Sequence, residues 1–413
     1  MAVVQSAMRY RWVILAVAFT VELCNALAFQ AIAPLAPLFQ PELGLSKAEV
    51  GFFSSAPFLG AWTLLLVAGP LIDRFGARRM ACIGLIATGI SMLSMSMATT
   101  FIFAAVVMLM AGLGRGLTGG CATKAVGEWF PPSSRGTAMG IKQTGMPAAG
   151  ILAASALPVI ALTLGWRGAI GMVGILVVVG GVLAGLFFRS AHHHEGAQSG
   201  ATRIFASLGT VMQNRYLWTV SIMALLIITV QLSANAYVAL YLHDIVLVTT
   251  VPDEKARVIA AGGFLAVCQM GGVVGRVFWG ALSDRVFHGQ RMVVMAIIGA
   301  LTAISSIVVG YMNPAFPLWL VTVIMFAYGS VTIGFAGLYQ ALVVETVGKR
   351  HAATGIGFNM TITQFGKVVG PPIFGLVVDL TDSYRVAWFV LAALAACGGL
   401  IAAISRHGEK HLE

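Results

Sequence analysis

Long apolar runs, interrupted by charged residues or by Pro and Gly, recur along the whole chain. The runs are continuous rather than alternating, which favours helices over membrane-spanning β-strands. A helix needs about 20 apolar residues to cross the roughly 30 Å hydrocarbon core of a bilayer. The pattern therefore predicts twelve transmembrane helices, at residues 11–36, 48–70, 80–98, 103–129, 136–161, 168–188, 217–242, 257–282, 291–311, 316–344, 352–379 and 386–404.

A polar stretch divides these predicted helices into two groups of six. Residues 191–215 are predicted to form a cytoplasmic linker between an N-terminal bundle, residues 1–190, and a C-terminal bundle, residues 216–413. Three consecutive histidines at 192–194 are interpreted as part of a solvated linker rather than as a metal site. We predict neither a metal nor another cofactor.

The composition agrees with an all-α integral membrane protein. Of the 413 residues, 59% are hydrophobic and 10% are charged, whereas soluble domains carry about 25% charged residues. The mean hydropathy is +0.91. We therefore predict a multi-pass protein of the plasma (inner) membrane, embedded in the lipid bilayer.

The net charge of +10 is explained by its distribution along the chain. If the N-terminus is cytoplasmic, fifteen Lys and Arg residues fall in segments on the inner side and five on the outer side. An excess of Lys and Arg marks cytoplasmic loops. Both termini are therefore predicted to be cytoplasmic, and no nucleic-acid partner is predicted.

Two motifs recur at nearly the same spacing. "GPLIDRFGARR" (69–79) and "GALSDRVFHGQR" (280–291) share Gly-x-x-x-Asp-Arg at an offset of 211. "RGTAMGI" (135–141) and "RHAATGI" (350–356) share Arg-x-x-Ala-x-Gly-Ile at an offset of 215. Two matches at nearly one period indicate a duplication, which predicts two pseudo-symmetric six-helix bundles.

With these motifs and twelve predicted helices, the chain resembles the major facilitator superfamily. The resemblance implies transport by alternating access, in which the two halves rock about a central site, and a protein that functions as a monomer. It also implies that the loop motif controls gating and does not bind substrate, although the second copy has fewer basic residues after its Asp-Arg. The predicted gating residues are Gly69, Asp73, Arg74, Gly76, Arg78, Gly280, Asp284 and Arg285.

Charged residues inside the predicted helices indicate the chemical class of the substrate. Each charge at the bilayer centre costs at least ~2.5–3.5 kcal/mol on insertion scales, so such residues are usually functional. Only Glu22 is an acid well inside, whereas the cations are Arg115, Lys124, Lys142, Arg276 and Lys367. The excess of positive charge predicts an anionic substrate, and the planar fork of arginine matches a carboxylate.

Several of the charged and polar residues inside the predicted helices have a structural alternative to substrate binding. Arg276 is alternatively a donor to backbone carbonyls, Arg115 an ion-pair partner of Glu22, and Lys124 a partner of Glu128 at helical spacing. For the amides Gln231, Asn235 and Asn359, the alternative is a hydrogen bond between helices. The predicted substrate-binding set is Arg276, Lys367, Arg115, Lys142, Gln231, Asn235 and Asn359.

Glu22 is the predicted proton-coupling residue, because desolvation favours the neutral form of a carboxyl group. The predicted function is secondary transport of a small organic anion, a carboxylate, by proton symport. Arg276 and Lys367 are similar to the cations of oxalate–formate and monocarboxylate carriers, and "EWFPPSSRGTAMG" to the anion–cation symporter branch. The alternatives are an exchanger without proton coupling and an anion channel or sensor of transporter ancestry.

An enzyme is not predicted, because no nucleophile and base share a depth. The match of "GRGLTG" (114–119) to a dinucleotide-binding pattern is rejected, since it lies inside an apolar helix with no strand before it. In that region Gly112, Gly116 and Gly120 have the four-residue spacing that allows helices to approach closely.

Overall fold

The computed structural model of the protein describes residues 2–189, 209 and 211–405, which are mostly α-helical. The predicted linker, with its three histidines, lies largely outside this part of the chain. A π-helical turn covers Leu242–Val246. In chain order, the α-helices are α1 (Ala2–Gln30), α2 (Ile32–Glu42), α3 (Lys47–Thr63), α4 (Leu65–Phe75), α5 (Ala77–Met95), α6 (Phe101–Trp129), α7 (Pro132–Gln143), α8 (Gly145–Phe187), α9 (Arg215–Tyr241), α10 (Glu254–Arg285), α11 (Arg291–Gly310), α12 (Leu318–Thr332), α13 (Ala336–Thr381) and α14 (Tyr384–Ser405).

The helices confirm a multi-pass, all-α membrane protein. Within the described residues, nine helical stretches are long and apolar enough to cross a bilayer, or ten if the bent pair Lys47–Thr63 and Val67–Phe75 forms one span. Helix α5 is not among them, and its first turn carries Arg78 and Arg79. The count of twelve and the orientation of the termini stay predictions.

One stretch is much longer than a single span. Residues Ser134–Phe187 extend over 54 residues, whereas about 20 suffice to cross the bilayer. Gly165 breaks the helix within this stretch, with φ of 70°. Glycine is favoured there because it lacks the Cβ that makes positive φ costly. The break lies between the predicted spans 136–161 and 168–188.

The chain divides into two compact units, each with its own packing. The N-terminal unit contains Met1–Leu45 and Phe52–Glu195, and the C-terminal unit contains Ser46–Gly51 and Gly196–Glu413. In the N-terminal unit, α5 packs against α6 and α8, and α1 packs against α8. In the C-terminal unit, α11 packs against α14, α9 against α13 and α10 against α12.

The glycine stripe of α6 is a close helix contact, as its spacing predicts. A Cβ added at Gly112 would overlap the carbonyl oxygen of Pro57 and lie 2.9 Å from the Cα of Gly60. A Cβ at Gly116 would lie 3.1 Å from Leu64 Cβ. Helix α6 therefore crosses α3 almost backbone to backbone, which small residues permit in membrane proteins.

We expect Gly112→Ala to lower the thermal unfolding temperature of the protein in detergent. The added methyl group overlaps backbone rather than a movable side chain, and such overpacking typically costs about 1–3 kcal/mol. Gly119→Ala is the matched control on the same helix, because a Cβ at Gly119 meets nothing within 4 Å. Equal unfolding temperatures for the two variants would show that the close crossing is not required.

The short segment Ser46–Gly51 is bound within the C-terminal unit by acidic side chains. The backbone N–H groups of Lys47 and Ala48 donate to the two carboxylate oxygens of Asp379, at 2.9 and 2.8 Å. The Nζ of Lys47 lies 2.6 Å from Asp244 Oδ2. The first N–H groups of a helix have no partner within it and favour negative charge. Asp379 therefore supplies the hydrogen-bond acceptors and the negative charge that the first turn of α3 lacks.

Candidate functional site

An ion pair between a buried lysine and a half-buried glutamate lies in the N-terminal unit. Lys142, at the end of α7, is 4% exposed, and its Nζ lies 3.1 Å from Glu22 Oε2 of α1. The same Nζ donates to Thr123 Oγ1 of α6 at 3.2 Å. Three helices therefore converge on this ammonium group, and a carboxylate balances its charge.

Glu22 forms its ion pair with Lys142 and not with Arg115, which the sequence left open as an alternative partner, and local packing explains why. A Cβ at Gly145 would lie 3.2 Å from Glu22 Cβ and 3.0 Å from the carbonyl oxygen of Phe19. The junction of α7 and α8 thus lies directly against α1. Lys142, three residues earlier, is in reach of Glu22 for this reason.

Arg115 lies instead against two aromatic rings. Its Cζ is 3.9 Å from the ring centroid of Phe29 and 5.1 Å from that of Phe58. Among the described residues, its half-buried guanidinium makes no hydrogen bond and no ion pair. Of these two cations, Lys142 is balanced by a carboxylate, whereas the N–H donors of Arg115 have no acceptor among the described residues.

Lys124 also differs from its predicted pairing. Its Nζ lies 2.6 Å from Asp73 Oδ1 of α4, whereas Glu128 is exposed. Helices α4 and α6 pack side by side, so a neighbouring helix offers a nearer carboxylate than the next turn of α6. This places Lys124 in contact with the predicted gating motif.

In the C-terminal unit, Arg276 lies on α10 and Lys367 on α13, both half-buried. The Nε of Arg276 is buried and has no hydrogen-bond partner among the described residues. An unpaired buried polar group costs about 1–3 kcal/mol. No carboxylate of the described residues pairs with Arg276, and its role in substrate binding stays a prediction.

The predicted amides join helices to one another. Asn235 Oδ1 of α9 accepts a hydrogen bond from Gln269 Nε2 of α10 at 2.8 Å. Asn359 Nδ2 of α13 donates to Ser221 Oγ of α9 at 3.1 Å. The structural alternative of interhelical bonding is thus confirmed for both, while Gln231 is half-buried on α9. Sequence reasoning missed Gln269, whose position inside a predicted span was the available signal.

The first copy of the loop motif forms a glycine turn with arginine contacts. Gly76 separates α4 from α5 with φ of 82°, and Arg78 Nε donates to the carbonyl oxygen of Gly185 at 2.6 Å. Arg74 lies beside the ring of Phe75. A Cβ at Gly69 meets nothing within 4 Å, so this glycine is not needed for packing within the described residues.

The second copy uses an arginine that the motif comparison missed. Arg291 Nε donates to both carboxylate oxygens of Glu345, at 2.8 and 2.7 Å, and its Nη1 lies 3.5 Å from Asp284. Gly289 has φ of 83°, which matches the turn at Gly76. Both Gly289 and Arg291 follow their first-copy counterparts by 213 residues, so the second copy is two residues longer after Asp-Arg. Gly280 and Arg285 lie at the end of α10, and Arg285 is exposed.

The pattern that defines the Major Facilitator Superfamily matches residues 18–371, which is most of the chain. The chain belongs to the Major Facilitator Superfamily. The family and the fold are those of transporters rather than of enzymes.

Members of the superfamily with stated substrates are among the relatives. The chain is 21% identical to the hexuronate transporter of Bacillus subtilis, over 92% of this chain and 91% of that one. It is 25% identical to a probable sulfoacetate transporter of Cupriavidus necator, over 89% of this chain and 87% of that one. Both relatives are matched over nearly their whole length.

A solved structure has a similar fold. It is a bacterial homologue of the human lysosomal transporter Spinster, in an inward-facing and unoccupied conformation. The TM-score is 0.78 at 16% identity, and the match covers 98% of each chain. At this identity the likeness concerns the fold alone.

Proposed function

We propose that the protein is a secondary active transporter of a small organic anion, a carboxylate, and that it works by alternating access with proton symport. It is proposed to act as a monomer in the plasma (inner) membrane, with both termini in the cytoplasm. The predicted substrate-binding and gating residues keep these roles within the proposal, except that Lys142 is the ion-pair partner of Glu22.

The observation that carries the proposal concerns two arginines, one in each unit, whose guanidinium groups make no hydrogen bond to a carboxylate among the described residues. Among the described residues, neither Arg115 nor Arg276 forms an ion pair, although both lie in membrane-spanning helices. Charges in such positions are expensive and are normally paired. A substrate that brings its own negative charge relieves this cost in the bound state. A carboxylate fits best, because guanidinium binds it through two parallel hydrogen bonds.

The relatives support an organic anion. Hexuronate and sulfoacetate are small, and both are anionic. The two relatives are matched over most of this chain, so the likeness includes the helices that carry Arg115 and Arg276. Their common chemistry is an acid group on a short carbon skeleton.

The Glu22–Lys142 ion pair supports proton coupling. While Glu22 is ionised, its carboxylate neutralises Lys142 at 3.1 Å. A proton on Glu22 removes that negative charge and leaves the ammonium group unbalanced. The local field then becomes more positive, which favours a bound anion. Proton binding and anion binding therefore assist each other, and this reciprocal coupling is what symport requires.

Uptake by purified protein in liposomes tests the proposal. We expect saturable uptake of a carboxylate such as glucuronate, counterflow when unlabelled glucuronate is inside, and accumulation when the outside is more acidic. Flux that does not saturate would indicate a channel, and binding without flux would indicate a sensor. Counterflow that ignores the pH difference would favour the exchanger, in which Glu22 and Lys142 are a permanent pair.

A further inference from the structure

Two phenylalanines form an aromatic clamp on Arg115 within the N-terminal unit. Phe29 comes from α1 and Phe58 from α3, and Phe58 is only 4% exposed. Their ring centroids are 5.4 Å apart at an interplanar angle of 66°. Both rings lie within 6 Å of the guanidinium carbon, which is the range in which a cation is attracted to a ring face.

The helices that carry the clamp are held together on either side of it. On α6, one turn after Arg115, Thr118 Oγ1 donates to Asn25 Oδ1 of α1 at 2.9 Å. One turn before Arg115, Gly112 crosses α3 at Gly60. The clamp therefore has rigid support, since its three members lie on helices that are joined within one turn of Arg115.

The clamp leaves the hydrogen-bonding edge of the guanidinium available. A ring attracts the cation through its face, whereas the N–H donors of arginine point outward in the plane of the group. Among the described residues no acceptor uses the donors of Arg115. A flexible arginine loses rotamer freedom when it binds a ligand, and a side chain that is already held loses less.

We propose that Phe29 and Phe58 are positioning residues, which hold the Arg115 guanidinium so that its N–H edge receives the carboxylate of the transported anion. The inference rests on the proposed function and deepens it. The clamp fixes the plane of the guanidinium, and a planar carboxylate matches that plane through two hydrogen bonds. The two rings also keep water from the face of the cation.

Leucine substitutions distinguish the contribution of the aromatic ring faces from that of apolar volume alone. In Phe29→Leu and Phe58→Leu the apolar volume is largely kept and the ring is lost. We expect the dissociation constant for glucuronate to rise by about 2- to 30-fold, the range that cation–π contacts supply. The half-saturation concentration for uptake rises with it, while the maximal rate changes little. Phe29→Tyr retains a ring and restores wild-type affinity.

A matched control comes from the same helix as Arg115. Phe103→Leu is the same substitution at an exposed position, 45% accessible, and we expect it to bind glucuronate as the wild type does. Thermal unfolding without ligand identifies any variant that fails to fold. Loss of affinity in a Leu variant that unfolds normally, with recovery in Phe29→Tyr, supports the clamp.

Two outcomes would overturn the inference, and they are distinguishable. If wild type binds glucuronate and both folded Leu variants bind it equally well, the clamp has no positioning role and the proposed function stands. If folded wild type binds none of glucuronate, sulfoacetate and acetate, the proposed function fails, and the positioning role fails with it.

Discussion

The Glu22→Gln variant is expected to lose all accumulation of substrate driven by a pH difference, while it still exchanges substrate across the membrane. Glutamine keeps the shape of the side chain but carries no charge and takes up no proton. Lys142 is then permanently unbalanced, since Glu22 is its ion-pair partner. The variant resembles the protonated state of the proposed cycle, which binds the anion but has no proton to release.

The expected size of this effect follows from the proton gradient. With one proton per monovalent anion, a difference of one pH unit is worth about 1.4 kcal/mol and supports up to about tenfold accumulation. We expect wild type to approach this ratio in proteoliposomes and Glu22→Gln to stay at a ratio of about one. Counterflow at equal pH should remain in the variant.

The exposed carboxyl group of Glu128 provides the control. Glu128→Gln is the same chemical change at an exposed position on α6, and it should accumulate substrate as wild type does. Persistent accumulation by Glu22→Gln would mean that the proton travels on another group. A Glu22→Gln protein that neither accumulates nor exchanges would assign Glu22 to folding or binding instead of coupling.

The second large effect is expected for Arg276→Lys, which keeps the charge and removes the planar fork. The Nε of Arg276 is buried without a partner among the described residues, so the proposed role of the side chain is to bind the substrate. Hydrogen bonds to charged groups contribute about 1.5–3 kcal/mol. Loss of the second parallel bond should therefore weaken binding by about 10- to 150-fold.

Arg385→Lys is the matched control for this substitution, because Arg385 is exposed at the start of α14. We expect it to retain wild-type affinity. Titration of each purified protein with glucuronate, followed by its unfolding temperature, measures the difference, since a ligand that binds only the native state raises that temperature. Equal affinity of Arg276→Lys and wild type would leave Arg276 with a structural role.

The chain pattern is sufficient to predict an all-α, multi-pass membrane protein, and it indicates a duplication. Both follow from properties that are local in sequence, namely the length of apolar runs and the recurrence of short motifs. The matching glycine turns at Gly76 and Gly289, with φ of 82° and 83°, show how closely the two copies correspond. Even here, the second copy has two extra residues after Asp-Arg, so a comparison of the two copies at a fixed offset does not match Arg291 with Arg78.

Pairing between helices was harder to predict, because it depends on how each helix is rotated about its axis. Glu22, Arg115 and Lys142 were all identified as charges within helices, yet the pair formed is Glu22 with Lys142. Glu22 and Arg115 have similar depths along their helix axes, which suggested Arg115 as the partner of Glu22. The contact at Gly145, which sets the distance between α1 and the end of α7, has no signature in charge or hydropathy.

Lys124 illustrates the same limit. A carboxylate at i+4 was available in the sequence, but Asp73 on a neighbouring helix forms the pair. The aromatic clamp on Arg115 was missed altogether, because phenylalanine in a membrane helix ordinarily serves packing or contact with lipid. Only the three-dimensional structure shows that the rings of Phe29 and Phe58 lie on the same guanidinium.

The binding of segment Ser46–Gly51 by the C-terminal unit has a consequence for how the protein is made. Lys47 leaves the ribosome 332 residues ahead of Asp379, which binds its backbone N–H, and 197 residues ahead of Asp244. At a translation rate of about 5–20 residues per second, the longer interval lasts roughly 20–60 s. For that time the first turn of α3 exists without the carboxylates that complete it. A C-terminal fragment synthesised from residue 196 onward would lack this segment entirely, so co-expressed half-proteins cut in the linker regain it only by assembling with each other.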